Sequence, residues 1–275
     1  MRTAICAALV LLPAVAAAKP KADAGGPKAA PACGAKVLPL VVGNSWTYVS
    51  IPAPLPPSDQ VKRISPTQPK QIVVTVKDVA PGKDETVVTL EEKITIDRTI
   101  DQKKPLLDEF TYTSTITCNA KKFDISPNSF FFAGEPGGVF GLEITQLDRA
   151  KGTSLQLTKG GIGDAQWRED LKMTWARKPT EGSGAKLGSG KLELERQFTP
   201  QEPETITTKQ GQYRAEKLGL ITTGRVILDG AAPDAKPSEL PANWISQLWL
   251  ARDIGLVQSL NSYAHMYQLT ESTLK

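Results

Sequence analysis

Val87-Val88-Thr89-Leu90-Glu91-Glu92-Lys93-Ile94-Thr95-Ile96 settles the class of fold. Val88, Leu90, Ile94 and Ile96 fall on one face of an extended chain, with Thr89, Glu91, Lys93 and Thr95 on the other. That period of two marks a strand with one dry and one wet face. The pattern recurs on both sides. Ile72, Val74 and Val76 alternate with Val73, Thr75 and Lys77, and Phe110, Tyr112, Ile116 and Cys118 alternate with Thr111, Thr113, Thr115 and Thr117. Strands half wet and half dry belong to antiparallel sheet, because a parallel sheet covered by helices shows continuous apolar runs.

The period returns at Leu155 and Leu157, then at Leu171, Met173 and Trp175, and again at Leu192 and Leu194. Further strands are expected near 204–208, 212–222, 224–228, 244–251, 255–260 and 263–270. Between these, Phe130-Phe131-Phe132 before Gly134 predicts a short strand and a turn, and 139–149 predicts a short helix. Six prolines between Ile51 and Lys70 exclude a helix interior and a central strand there. Residues 179–190 (PTEGSGAKLGSG) are expected to form a flexible hairpin loop.

The N-terminus is an address. Met1-Arg2 gives a positive start, Ala4–Val15 an apolar core, and Ala16-Ala17-Ala18 a small-residue cut site. A signal peptide over 1–18 predicts export, to the periplasm or beyond the cell. Residues 19–36 (KPKADAGGPKAAPACGAK) have almost nothing to bury and are expected to be a disordered tether. Residues 37–275 are expected to form one β-rich domain. No later stretch approaches membrane-spanning length, so no transmembrane segment is expected once the signal is cut. A net charge of +4 spread over both signs argues against a nucleic-acid partner.

Cys6 leaves with the signal, so Cys33 and Cys118 remain. In an oxidising compartment they are candidates for a disulfide tying the tether to the body. Two separate thiols are the other reading. Lipid attachment at Cys33 is disfavoured, because Ala30-Pro31-Ala32 follows a polar, Pro-rich stretch.

Three elements carry a resemblance. They are Leu38-Pro39-Leu40-Val41-Val42-Gly43-Asn44-Ser45-Trp46-Thr47-Tyr48, the segment Glu204–Leu218 containing Gly211-Gln212-Tyr213-Arg214-Ala215-Glu216-Lys217, and Trp249-Leu250-Ala251-Arg252-Asp253-Ile254-Gly255-Leu256-Val257. In this order they resemble a group of poorly characterised bacterial exported β-rich proteins sharing PL-x-x-G-x-x-W-x-Y, G-x-[FY]-x-A-x-K and W-x-A-x-x-[IV]-G-L-V. More distantly, that group is similar to LolA-like periplasmic lipoprotein carriers. The second element departs from the group's V-P-A-G, with Thr208-Lys209-Gln210-Gly211 in its place. The resemblance implies a mainly β fold, a curved antiparallel sheet forming a half-barrel or open barrel with few short helices. It brings no catalytic residues. Physically, Trp46, Gly211, Tyr213, Trp249 and Gly255 suit fold-making roles. Large aromatics bury area, and glycines permit hairpin turns or a bulge.

Reactive constellations are not evident. His265 is the only histidine, expected half-exposed on the last strand, so no multi-histidine metal site can form. Gly188-Ser189-Gly190-Lys191 lacks the phosphate-loop frame, since Leu192 follows the lysine. The adjacent acids Glu91-Glu92, Asp108-Glu109 and Glu169-Asp170 point to opposite faces if they lie on strands. The expectation is a non-catalytic exported protein without cofactor or metal. It would hold an apolar or lipid-like ligand in a curved sheet, or alternatively act as a structural or adaptor protein contacting an envelope protein.

Overall fold

Period-two segments pair with their neighbours along the chain, and the sheet grows as a meander. The computed structural model describes residues 36–54, 67–99, 104–119, 122–134, 143–158, 161–176, 188–229 and 237–275. The signal peptide, the Cys33 half of the expected disulfide and most of the 19–36 tether therefore lie outside the described residues, as do 55–66 and 177–187. The strands are β1 (Ser45–Ile51), β2 (Gln71–Pro81), β3 (Thr86–Asp97), β4 (Leu107–Cys118), β5 (Lys122–Ile125), β6 (Glu143–Lys151), β7 (Leu155–Thr158), β8 (Gly161–Ile162), β9 (Trp167–Ala176), β10 (Ser189–Thr208), β11 (Gly211–Leu228), β12 (Ser238–Ala251), β13 (Gly255–Leu260) and β14 (Met266–Thr273). Among the described residues a short helix, α1 (Phe130–Ala133), interrupts them. All fourteen strands join a single antiparallel sheet in the order β6-β9-β10-β11-β12-β13-β14-β1-β2-β3-β4-β5-β7-β8. The fold is mainly β, and the sheet is curved but not closed.

One bent stretch of chain joins the edge strand β6 to β7, the strand beside the other edge, β8. β6 pairs with β9, and after residues 152–154 the same chain becomes β7, pairing with β5. Gly152 takes the bend at φ +83°, and a Cβ there would lie 2.1 Å from the Arg168 carbonyl oxygen. Side chains bridge the seam. Arg149 donates to the Ile125 carbonyl at 3.1 Å, and the Ile144 amide donates to Asn128 Oδ1 at 3.3 Å. At one end, here the base, residues 36–44 fold under the sheet and bury Val37, Leu38 and Leu40. The opposite end, the mouth, is bounded by Ile51, Asp97, Leu107, Leu228 and Ser238.

Four sequence expectations need correction. Phe130–Phe132 is a helical turn, not a strand, because all three rings are buried and strand alternation would expose the middle one. Ser129 caps its start, accepting from the Phe131 amide, and Gly134 ends it in the left-handed conformation at φ 71°. Of the stretch expected to be helical, 139–142 lie outside the described residues and the remainder belongs to β6. Bulges at Ile144/Gln146 and Arg149/Lys151 shift the alternation, so its apolar residues fall three apart and imitate a helix. His265 is buried in the turn between β13 and β14, close to the Tyr263 and Tyr267 rings, and is not half-exposed on a strand. The pieces read separately at 204–208, 212–222 and 224–228 belong to two continuous strands. β10 absorbs Pro200 and Pro203 at a register shift between Gln201 and Glu204.

Candidate ligand-binding trough

The concave face of the sheet is a trough, and its lower part is filled by the protein's own α1. Phe131 lies edge-on to Trp46 at 5.8 Å, and Phe130 packs on Tyr48 at 4.8 Å and Tyr267 at 5.6 Å. The Arg196 guanidinium stacks 3.6 Å above the Phe132 ring. Three phenylalanines of the chain itself thus occupy the bottom of the trough.

Polar clasps fix both ends of the plug. Glu92 sits on the inner face of β3, fully buried, and receives Ser114 Oγ and Ser129 Oγ at 2.8 Å each. The Phe130 amide donates to both of its oxygens at 3.0 Å. Burial pushes the Glu92 carboxyl up to about 7, against the hydrogen bonds from Ser114, Ser129 and Phe130 that favour the ionised form. Tyr48 donates to the Leu256 carbonyl at 2.9 Å. Its phenol is pushed upward by burial and further by the Glu92 charge.

At the other end Arg196 donates to the Phe132 carbonyl and to Glu169 Oε1, the latter at 2.7 Å. Glu169 also holds Arg149, which lies 3.5 Å from Asp124 and donates to Ser154 at 3.1 Å. Two acids and two arginines thus balance inside the sheet. Desolvation lowers Arg196 to about 10 despite the pull of Glu169. A buried ion pair this deep gains little net stability, but removing one member would strand the other charge.

Toward the mouth the inner face becomes apolar and opens. Leu171, Met173 and Trp175 of β9 stand beside Leu192 and Leu194 of β10, with Gly224 and Ala242 on the following strands. Inward-facing residues nearer the rim remain in solvent, with Phe110 40% and Leu240 51% exposed. A separate polar cleft of about 500 Å³ follows the seam, lined by Thr115, Thr117, Asp124, Asn128, Ile144 and Arg149. Among the described residues no group of three or more His, Cys, Asp or Glu could hold a metal, and no helix is long and apolar enough to cross a membrane.

The residues singled out from sequence gather at the base. Trp46 donates to the Ile254 carbonyl at 2.6 Å. At Gly255 (φ +103°) a Cβ would fall 2.7 Å from Leu38 and 3.3 Å from Trp46. Trp249 donates to Glu204 Oε2 at 2.9 Å, and Lys217 reaches both Glu204 and the Trp249 ring. Gly211 turns the β10–β11 hairpin at φ +143°, with Tyr213 half-buried just beyond it. Among the described residues, Trp46 is the one of these five whose ring meets the plug, at Phe131. Cys118 is buried and disulfide-bonded. The sequence places Glu92 and Glu169 in adjacent acid pairs without assigning them a partner, and it does not single out Arg196. The available signal was parity, since each is a charge placed on the face where its strand otherwise carries apolar residues.

These features define a class: an open, curved antiparallel sheet around a short aromatic plug. Two solved structures are similar. One is a candidate lipoprotein from Parabacteroides distasonis at 12% identity and TM-score 0.44, covering 86% of this chain and 99% of that one. The other is a candidate exported protein with a YmcC-like fold from Bacteroides fragilis, at 13% identity and TM-score 0.46, covering 87% and 99%. No protein-family model and no curated protein matches the sequence.

Proposed function

We propose that this is an exported, non-catalytic binding module that takes an apolar or lipid-like ligand between the mouth and the plug. The observation that carries this reading is the exposure of Phe110 and Leu240 on the face that is elsewhere dry. Leaving inward-facing apolar area wet forgoes about 25 cal/mol per Å², a cost that an acyl chain laid against Phe110 and Leu240 at the mouth would offset. The test is native mass spectrometry of protein from its own host, together with titration of a fluorescent fatty-acyl probe. The wild type should bind, and F110S/L240S should bind about tenfold more weakly with its fold intact, since both side chains already face solvent. An ordered wild type that takes up no probe and carries no lipid would refute the reading. A second reading, an adaptor contacting an envelope protein, is supported by Ile221 and Ile245, which face each other across β11 and β12 on the outer face and are both exposed. Recovery in a larger complex that I245K disrupts would favour it.

A further inference from the structure

Between the plug and the apolar wall, the inner face carries a band of polar atoms that the fold leaves unpaired. Arg196 Nε, Thr222 Oγ1, Ser246 Oγ and Ser259 Oγ are buried without a hydrogen-bond partner, on residues at most 2% exposed. They form one band by register. Arg196 of β10 lies directly opposite Thr222 of β11, and Ser246 of β12 lies opposite Leu220, one inward position along from Thr222. Ser259 of β13 lies opposite Leu248, the next inward residue after Ser246. Side chains opposite one another on a face stand roughly 5 Å apart at Cβ, and diagonal ones roughly 7–8 Å apart. The band ends against the plug, where a Cβ on Gly134 would fall 2.8 Å from that of Ser259.

The chemistry of the band selects its partner. Every member can donate, and three can also accept. The adjoining charges already cancel, Arg196 and Arg149 against Glu169 and Asp124. An anionic group would add an unbalanced buried charge, which desolvation penalises heavily. An uncharged, acceptor-rich group would satisfy the donors without that cost. We propose that this band is the seat for the ester and hydroxyl oxygens of a neutral lipid head, of the monoacylglycerol kind, with its acyl chain directed toward the mouth. The inference rests on the lipid-binding reading above and specifies its ligand.

The test compares three probes with one chain length, 1-monoolein, oleate at pH 8 and 1-octadecene, on delipidated mature protein. The wild type should bind monoolein at least about tenfold more tightly than either of the others. T222V/S246A removes two hydroxyls with little change of shape, and each lost neutral hydrogen bond weakens binding roughly three- to tenfold. Monoolein affinity should therefore fall about tenfold or more in the double variant, while octadecene affinity stays unchanged. S259A repeats the measurement should the double variant fail to fold. Equal binding of the three probes, or a variant that keeps its monoolein affinity, overturns the assignment and leaves the general lipid reading standing. If no probe binds the wild type, that reading fails and this one with it.

Discussion

Glu92 is one acid of an adjacent pair, and its neighbour on the same strand behaves quite differently. Glu91 reaches toward Lys77 at the surface, while Glu92 holds the start of the plug. Alternation decides which is which, so the burial of Glu92 was legible in Val88-x-Leu90-x-Glu92-x-Ile94. Its partner Ser129, 37 residues away, was not, because no local pattern couples β3 to α1. The folded chain keeps the Glu92 proton up to about 7, whereas an unfolded chain releases it near 4.5. Between these values the folded state binds more protons, so stability falls as pH rises. The contribution is fully present below pH 4.5 and lost as pH rises through 7, about 3 kcal/mol in all. Glu92→Gln keeps an acceptor for Ser129 and Phe130 and cannot titrate. Urea unfolding of both proteins at pH 4.5 and pH 8 should show E92Q gaining about 3 kcal/mol relative to the wild type at the higher pH. A difference that does not change with pH would rule out a buried titrating carboxyl. Arg196 obeys the opposite logic. Arg196→Ala strands Glu169 beside a single arginine and opens the Phe132 carbonyl, with an expected loss of about 3–5 kcal/mol in the same experiment.

At the scale of elements, strands with clean alternation were legible, and elements shaped by tertiary contacts were not. β2, β3 as far as Ile94, and the base half of β4 bury the residues their period assigns. Phe110 and Tyr112 follow the period but stop short of full burial, because they approach the mouth. α1 escaped because four residues cannot display a helical period. A chain this short is helical only when its ends are held from outside, here by Glu92, Ser129 and Arg196. β6 escaped because its bulges re-phase the strand. Packing makes the plug measurable. Phe131→Ala would empty the space between Trp46 and Tyr48 and should cost about 3–5 kcal/mol, read as a lowered urea midpoint. The bend between β6 and β7 is less forgiving. In Gly152→Ala the new methyl meets the Arg168 carbonyl, which is backbone and cannot swing aside. This variant should lose the seam contacts and show early exchange of the β6 and β7 amides. Wild-type protection there would mean that the bend tolerates a side chain.

For the molecule as a whole, the expected export and the fold converge on one cysteine. Cys118 closes β4 at the base, buried and disulfide-bonded. The sequence offers only Cys6 and Cys33 as partners. Removal of the predicted signal peptide takes Cys6 away, leaving Cys33. Cys33 precedes by three residues Lys36, whose carbonyl is fixed at the base by the Asp253 amide at 2.9 Å. A bridge between them would close a long loop that includes β1, β2 and β3, and loops of that size restrict the unfolded chain by about 3–5 kcal/mol. Mature protein from the oxidising compartment should begin at Lys19 and contain no free thiol. Non-reducing peptide maps should recover the segments around Cys33 and Cys118 as one linked species, and reduction should lower the urea midpoint by an amount equivalent to that loop term. Two titratable thiols in the exported protein would break the connection between its route and its architecture, and so would a Cys118 linked to Cys6 in an uncut precursor. The open sheet would then be held at its base by residues 36–44 alone.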